Sequence, residues 1–466
     1  MWKTATLILS FFFSPYLTAQ SDYVIINAIQ IEGNKHTKSR VILREMDFAV
    51  GDTIPLKTLQ DRLDINKNYI MNTGLFVLMD INIANWDYDK NKVDLLMKIK
   101  EAWYIFPFPV FELADRNFNV WWSEQNRSLK RTNYGIRFVH LNTTGNKDPL
   151  KLQFHLGYTQ KLELVYSFPG LNKKQTFGIT GAFFYARNKE IAYKTIDDKL
   201  VFERSESEFP LQRFRSGFNF FYRPKIRSVF YGKLEFQKNA ITDYVITELN
   251  PNYFLNGNTS QRLMYLRLEY AYENRDVKPY PLAGNFFSTV VDKEGLGIFN
   301  ERNGLYLTST FGQYFSLGSK WSTETIFKTK VALIRKEQPY NNYWSLGYVD
   351  DYLSGYEFYV IDGLDYYYAK TAIRFQLFDR RMNWGAYMPI KAFSEMPVKV
   401  YLVLNNDFGY VNSTQFNEVN SLGNKPLWGG GIGLDFVLFY DKVIKIEYSM
   451  NHLLEKGLYL HYNLYF

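Results

Sequence analysis

The feature that most constrains this chain is a period-two alternation of apolar and polar residues that recurs from Trp103 to the last residue. Leu150, Leu152, Phe154, Leu156 and Tyr158 alternate with Lys151, Gln153, His155 and Gly157. Met264, Leu266, Leu268, Tyr270 and Tyr272 alternate with Tyr265, Arg267, Glu269 and Ala271, and Ile444, Ile446, Tyr448 and Met450 with Lys445, Glu447 and Ser449. Successive side chains of a strand point to opposite faces, so each segment carries one apolar and one polar face. Segments of about ten residues repeated in this way are the signature of a transmembrane β-barrel, weak singly and strong in series.

Strands are expected to start near residues 103, 133, 150, 161, 176, 212, 227, 262, 284, 304, 320, 366, 397, 427, 443 and 457. That makes about sixteen antiparallel strands, an even number, as bacterial barrels have. The connections give an independent check. Short ones fall at 142–149, 223–226, 317–319 and 441–442, and long ones near 113–132, 188–211, 239–261, 333–365 and 409–426. The two sets alternate, as they do when one end of a barrel carries turns and the other loops; only the link near 379–396 is long for its place. Composition agrees. Aromatic residues make up 18% of the chain while the mean hydropathy is −0.28, the mixture of outer rings and polar lumen that a barrel in lipid needs.

Other classes fall away. Cysteine is absent, which excludes disulfides, thiolate metal sites and cysteine nucleophiles. The net charge of +8 carries no dense Lys/Arg run or basic helix, so no nucleic-acid partner is expected. Lys3, the short apolar core Ala5 to Phe13 and the small-residue site Leu17-Thr18-Ala19 read as a signal peptide over 1–19. No later segment approaches the ~18 continuous apolar residues of a membrane helix, and an exported chain without one enters a membrane only as a closed barrel. The expected location is the outer membrane of a Gram-negative cell, with outer-membrane lipid as one partner.

Residues 22–101 have a different rhythm. Tyr23 to Ile31 reads as a strand ending at Glu32-Gly33-Asn34, and Thr37 as the N-cap of a helix with Val41, Ile42, Leu43 and Met46. Pro55 opens a second helix with Leu56, Leu59, Leu63, Ile65, Tyr69 and Ile70, and Gly74 stands where a helix-ending glycine belongs. Phe76 to Ile83 and Val93 to Ile99 follow as strands joined by a turn at 87–91. The expected organisation is a signal peptide (1–19), a strand-helix-helix-strand-strand domain in the periplasm (22–101) and a barrel (103–466).

This arrangement resembles the BamA/TamA superfamily, whose members carry periplasmic POTRA domains before a barrel. Ile29-Gln30-Ile31-Glu32-Gly33-Asn34, Thr37 and Ile42-Leu43-Arg44-Glu45 are similar to the start of a POTRA domain; only one such domain fits, so the chain resembles a short member. Arg275-Asp276 with Pro281 and Gly284 resembles the family's turn before its ninth strand. Leu353-Ser354-Gly355-Tyr356 occupies the place of the sixth-loop motif, with Ser354 where the family has Arg. Asn406-Asp407-Phe408-Gly409 resembles the thirteenth-strand motif, whose Asp holds that Arg in the lumen, and Gly429 to Leu434 the Gly-rich fourteenth strand. Alternation places Asp407 and Arg374 inward, so Arg374 is expected to pair with Asp407 in place of the missing Arg. Ser354 offers only a neutral hydrogen bond, so the loop is expected to enter the lumen and be held less tightly. Leu458, Leu460, Tyr462, Leu464 and Phe466 alternate to a terminal aromatic, a strand that closes the barrel and resembles the C-terminal signal of barrel-assembly clients.

No catalytic or cofactor constellation stands out. His155 and Ser167 face inward without a paired acid or oxyanion hole, the five histidines lack metal-ligand spacing, and the run Gly429-Gly430-Gly431-Ile432-Gly433 lacks the Lys-Ser/Thr of a phosphate loop. Glycines in a strand more often mark a bend or close backbone approach. The expectation is not an enzyme. The resemblance implies a barrel that inserts other outer-membrane proteins, its first strand opening from the last along a seam of Trp103, Pro107, Pro109, Leu464 and Phe466. An exposed strand edge is a ready template for another chain. Pro107 and Pro109 remove backbone donors from it, and the POTRA-like domain would add client strands to its own edge. Unfolded outer-membrane or secreted clients are the implied partners, with periplasmic chaperones and accessory lipoproteins beside them. A dedicated translocon for one or a few proteins, and a passive channel, are the alternatives.

Overall fold

The computed structural model describes residues 22–172, 176–299, 302–348, 351–383, 385, 395–415, 418–438 and 442–463. The expected signal peptide, and Leu464 and Phe466 of the expected seam, lie outside the described residues.

The N-terminal domain comprises β1 (Tyr23–Glu32), α1 (Ser39–Leu43), β2 (Thr53–Pro55), α2 (Leu59–Met71), β3 (Phe76–Asp87) and β4 (Lys92–Glu101). The sheet order is β2-β1-β4-β3, with β1 and β4 parallel and the other neighbours antiparallel. Val24, Ile26, Val41, Ile42, Ile54, Leu63, Ile70, Val93, Leu95 and Met97 form its buried core. Leu59, Leu63 and Ile70 share the core-facing stripe of α2, as helical spacing requires. Gly74, at φ +72°, lets the chain leave that helix. Two details differ from expectation. The short strand β2 precedes the second helix, and Pro55 ends it. Thr37 does not cap α1; Lys38 holds the N-cap place without a side-chain bond, and the Thr37 hydroxyl instead meets Tyr104 Oη at 2.8 Å and Asn142 Nδ2 at 3.0 Å. Tertiary partners outcompete the local cap.

Sixteen antiparallel strands follow in one sheet. They are β5 (Ile105–Leu113), β6 (Thr132–His140), β7 (Leu150–Gly157), β8 (Thr159–Phe168), β9 (Phe177–Asn188), β12 (Leu211–Lys225), β13 (Ser228–Ile241), β14 (Ser260–Glu273), β15 (Gly284–Glu294), β16 (Gly304–Leu317), β17 (Trp321–Ala332), β18 (Asp365–Asn383), β19 (Glu395–Asn412), β20 (Leu427–Val437), β21 (Val443–Asn451) and β22 (Lys456–Asn463). Each pairs with its neighbours in chain order, so a single meander builds the wall. The loop between β9 and β12 carries its own hairpin, β10 (Glu190–Ile196) and β11 (Lys199–Arg204), and the loop after β5 carries the short helix α3 (Phe118–Ser123).

The alternation sorts side chains as expected. Phe154, Leu164, Phe218, Phe230, Leu268, Phe311, Phe327, Leu404, Phe408, Ile432 and Leu458 are exposed on the outer face, while Gln153, His155, Glu235, Asn239, Gln261, Arg374, Asp407 and Glu447 are buried. An apolar exterior this extensive around a polar interior suits a lipid surrounding, and no described helix is long and apolar enough to cross a membrane. The connections at 141–149, 226–227 and 274–283, all even-numbered along the sheet, lie at the end where the N-terminal domain sits. Lys38 N donates to Gly145 O in one such turn, Arg223 and Arg227 meet Glu45 and Tyr69 beside another, and Asn72 reaches Asp276 in a third.

Candidate functional site

The loop between β17 and β18 folds back onto the inner faces of β19, β20 and β21, and the residues expected at its tip make the contact. Leu353, Ser354, Gly355 and Tyr356 are all buried. Ser354 N donates to Asp407 Oδ2 at 3.0 Å, Asn451 Nδ2 donates to Gly355 O at 2.9 Å, and Tyr356 Oη donates to Trp428 O at 3.1 Å and also meets His452. Glycines of the thirteenth and fourteenth strands explain the fit. A Cβ on Gly429 would stand 2.9 Å from the carbonyl carbon of Ser354 and closer to its oxygen, and one on Gly409 would run into Leu353. Gly429 gives the Ser354 backbone room to approach, and Gly409 does the same for the Leu353 side chain. Ser354 engages Asp407 through its main-chain N–H, a bond any non-proline residue could supply. A hydrogen bond to a carboxylate is stronger than a neutral one, so the loop keeps a charge-assisted anchor without the arginine.

The expected Arg374–Asp407 pair is not formed. Arg374 pairs with Glu324 on β17, donates to Pro281 O at 2.7 Å and lies 4.4 Å from the Tyr280 ring centroid. Register is the reason. Asp407 faces Lys370, and Arg374 faces Val403, so the two lie four residues apart along their strands, about 13 Å at strand rise. Both side chains point inward, but period two says nothing about height in the lumen. His155 and Ser167 are likewise separated. His155 pairs in register with Lys161, and the Ser167 hydroxyl meets Thr180 Oγ1 at 2.7 Å.

The two ends of the sheet are β5 and β22, and among the described residues no backbone ladder joins them. The β5–β6 ladder runs unbroken through Pro107↔Phe138 and Pro109↔Ile136. Proline has no N–H, so the even residues of β5 must supply the bonds to β6, as Tyr104 O and Ala114 N do just beyond its ends. The odd residues therefore turn their backbone groups toward the seam, and two of the five, Pro107 and Pro109, bring no donor. Trp103 closes off a third position, its indole Nε1 donating to Ile105 O. Such edge-blunting is how sheets avoid indiscriminate pairing.

At the far end the loops knit together. Asp198 of the β10–β11 turn accepts from Ser421 N at 2.8 Å and Leu422 N at 3.0 Å, and its carbonyl from Val360 N at 2.8 Å. Thr195 donates to Asp362 Oδ2 at 2.6 Å, and Tyr348 to the other oxygen of the same carboxyl at 2.5 Å. Burial pushes the Asp362 carboxyl up to about 6, and the two hydroxyls only partly offset it. These loops cover the mouth.

At the near end the N-terminal domain is joined to the turns by charge. Arg223 Nη1 stands 2.7 Å from Glu45 Oε2, and a cavity of about 320 Å³ beside them is lined by Arg44, Lys147, Arg275 and Lys278. Burial pushes the Glu45 carboxyl up, but Lys147, Arg223 and Arg44 more than offset it and hold it below the usual carboxylate range. Burial lowers the Lys147 ammonium to about 8. Lys147 also sits at φ +62°, a left-handed conformation that lysine seldom adopts. Sequence reasoning missed this joint and the loop cover, because both are pairings between distant segments that no local period marks.

Residues 24–102 match the family described as POTRA, surface antigen variable number repeat. Among solved structures, the chain is similar to BamA from Haemophilus ducreyi lacking POTRA domains 1-3, at 15% identity and a TM-score of 0.52, over 94% of this chain and 83% of that one. It is also similar to CdiB from Escherichia coli, at 12% identity and a TM-score of 0.56, over 94% and 75%. CdiB from Acinetobacter baumannii gives 14% identity and a TM-score of 0.50, over 95% and 73%. At these identities the likeness is one of fold. No curated protein matches the sequence.

Proposed function

We propose that this chain, a POTRA-plus-barrel protein of BamA-like fold, works in the outer membrane as an assembly factor that inserts other barrel proteins. The observation that carries this reading is the seam. β5 and β22 end the sheet without a ladder between them among the described residues, and β5 presents an edge short of donors. A client strand arriving at β5 brings N–H groups to the carbonyls of Pro107 and Pro109 and forgoes the same two donors that β22 forgoes in a closed seam. The energetic gap between a closed seam and a client-paired one is therefore small, which is what strand exchange requires.

The POTRA domain hangs on the even-numbered turns, which we place in the periplasm. Its sheet ends at β3, paired on one side only, where an extended segment could add. The covered mouth argues against a passive channel. A dedicated translocon for one or a few proteins is the second reading; the single POTRA domain and the absence of the sixth-loop arginine at Ser354 favour it over a general machine. Depleting the protein and quantifying the outer-membrane proteome separates them. Broad loss of unrelated barrels supports assembly; loss of one surface protein supports dedicated export; an unchanged proteome refutes both.

A further inference from the structure

We propose that α3 is a latch on the edge of β22, with Asn119 as its positioning residue. The inference rests on the strand-exchange reading above. Leu460 N donates to Asn119 Oδ1 at 3.2 Å, across 341 residues of chain. In an antiparallel strand, alternate residues turn their backbone groups to opposite sides. With Leu460 facing away from β21, Lys456, Leu458 and Tyr462 face the same way, so these four N–H groups are the donors along this edge within β22. Asn119 occupies the one at Leu460 with a side-chain amide oxygen, standing where the carbonyl of a paired strand would stand. β5 stops at Leu113, and α3 takes over beyond it.

Three further features make α3 a movable part. Asn117 Oδ1 accepts from Val120 N at 2.8 Å, so the six-residue helix is capped by its own chain. The same Asn117 donates to Glu357 O at 2.8 Å, and Arg116 donates to Gly347 O at 3.0 Å. Both acceptors belong to the loop that carries Leu353–Tyr356, whose Glu357 carboxylate in turn faces His461 of β22 at 3.3 Å. Finally, Asn119 Nδ2 is buried without a hydrogen-bond partner. A half-satisfied buried amide is a poor permanent anchor. A client strand that supplies a carbonyl to Leu460 replaces one neutral bond with another and frees the amide from that site. The latch thus delays pairing at β22 until a strand competes for it, and ties that event to the lumen loop.

The test uses the full-length protein in lipid nanodiscs with Asn119→Ala and Asn119→Asp, the second retaining an acceptor oxygen. Amide hydrogen exchange reads the latch without any client. Asn119→Ala is expected to speed exchange at Leu460 about tenfold while Tyr459, which faces β21, stays unchanged; Asn119→Asp is expected to stay near the parent rate. Unchanged exchange at Leu460, or an equal rise at Tyr459, overturns the latch. In a second arm, insertion of an unfolded eight-stranded barrel into liposomes is expected to start several-fold faster with Asn119→Ala. A parent rate that Asn119→Ala leaves unchanged or lowers also overturns it. Failure of the parent protein itself to insert the client refutes the assembly reading and leaves the exchange result to judge the latch.

Discussion

Gly429→Ala should unseat the lumen loop. An added Cβ would stand 2.9 Å from the Ser354 carbonyl carbon, where carbon atoms pack at about 3.5–4.0 Å. Ser354 O is nearer still, and both partners are backbone, so the tip must retreat by about 1 Å or more. That retreat breaks or stretches Ser354 N–Asp407, Asn451–Gly355 O and Tyr356–Trp428 O. The first bond goes to a charged acceptor, worth about 1.5–3 kcal/mol, and the other two about 0.5–1.5 kcal/mol each. Losing the first and part of the rest costs about 3 kcal/mol, or roughly a hundredfold in the population of the seated loop. Limited proteolysis of the folded barrel, read by the rate of cleavage within residues 333–364, measures that population. The control is Gly232→Ala, whose Cβ would meet only Leu268 Cδ2 at 3.8 Å on the outer face. Equal cleavage rates in the two variants would refute the seating argument.

Other expectations follow from the same geometry. Ser354→Ala should change loop protection less than about threefold, because the anchor is a main-chain N–H, whereas Asp407→Asn should weaken it about tenfold by removing the charge; protease kinetics compare them. Arg374→Ala should cost about 3 kcal/mol in denaturant unfolding by stranding Glu324, whose side chain is 15% exposed, yet leave the loop's protease protection intact. Docking of the POTRA domain should depend on pH at both ends. The Glu45 carboxyl is lowered in the docked form, so its contribution is present above the usual carboxylate range and fades as the pH falls through the lowered value. The Lys147 ammonium is lowered from 10.5 to about 8, so the docked form binds fewer protons in that window and docking should tighten as the pH rises through it. Exchange protection at the Lys38 amide, which bonds Gly145 O, reports docking; Lys147→Asn should flatten the alkaline rise.

The strands were legible because a membrane barrel writes its wall into the sequence twice, as alternation and as the parity of its connections. All sixteen expected starts fall within a few residues of a strand, from Ile105 to Lys456. Glycines in a strand mark a bend or a close approach, and here Gly429 admits the Ser354 backbone and Gly409 the Leu353 side chain. What alternation lacks is axial position. Arg374 and Asp407 both read as inward, and only the register of β18 against β19 shows that Arg374 sits with Glu324. Nor could it supply contacts between loops. Asp198 with Ser421, Asn117 with Glu357 and Asn119 with Leu460 join segments hundreds of residues apart, and each side chain alone reads as an ordinary turn residue. Thr37 shows the reverse error, a sound local cap that lost to Tyr104 and Asn142.

Client strands that pair at the seam as proposed can be caught by crosslinking from β5. The chain has no cysteine, so a single engineered thiol is unambiguous. Phe111 on β5 is 69% exposed beside the seam, and Phe327 on β17 is 51% exposed on the wall away from it. With a thiol-reactive crosslinker at Phe111→Cys, a client barrel arrested during insertion should be captured, and at Phe327→Cys it should not. Capture no greater at Phe111→Cys than at Phe327→Cys would rule out pairing at the seam.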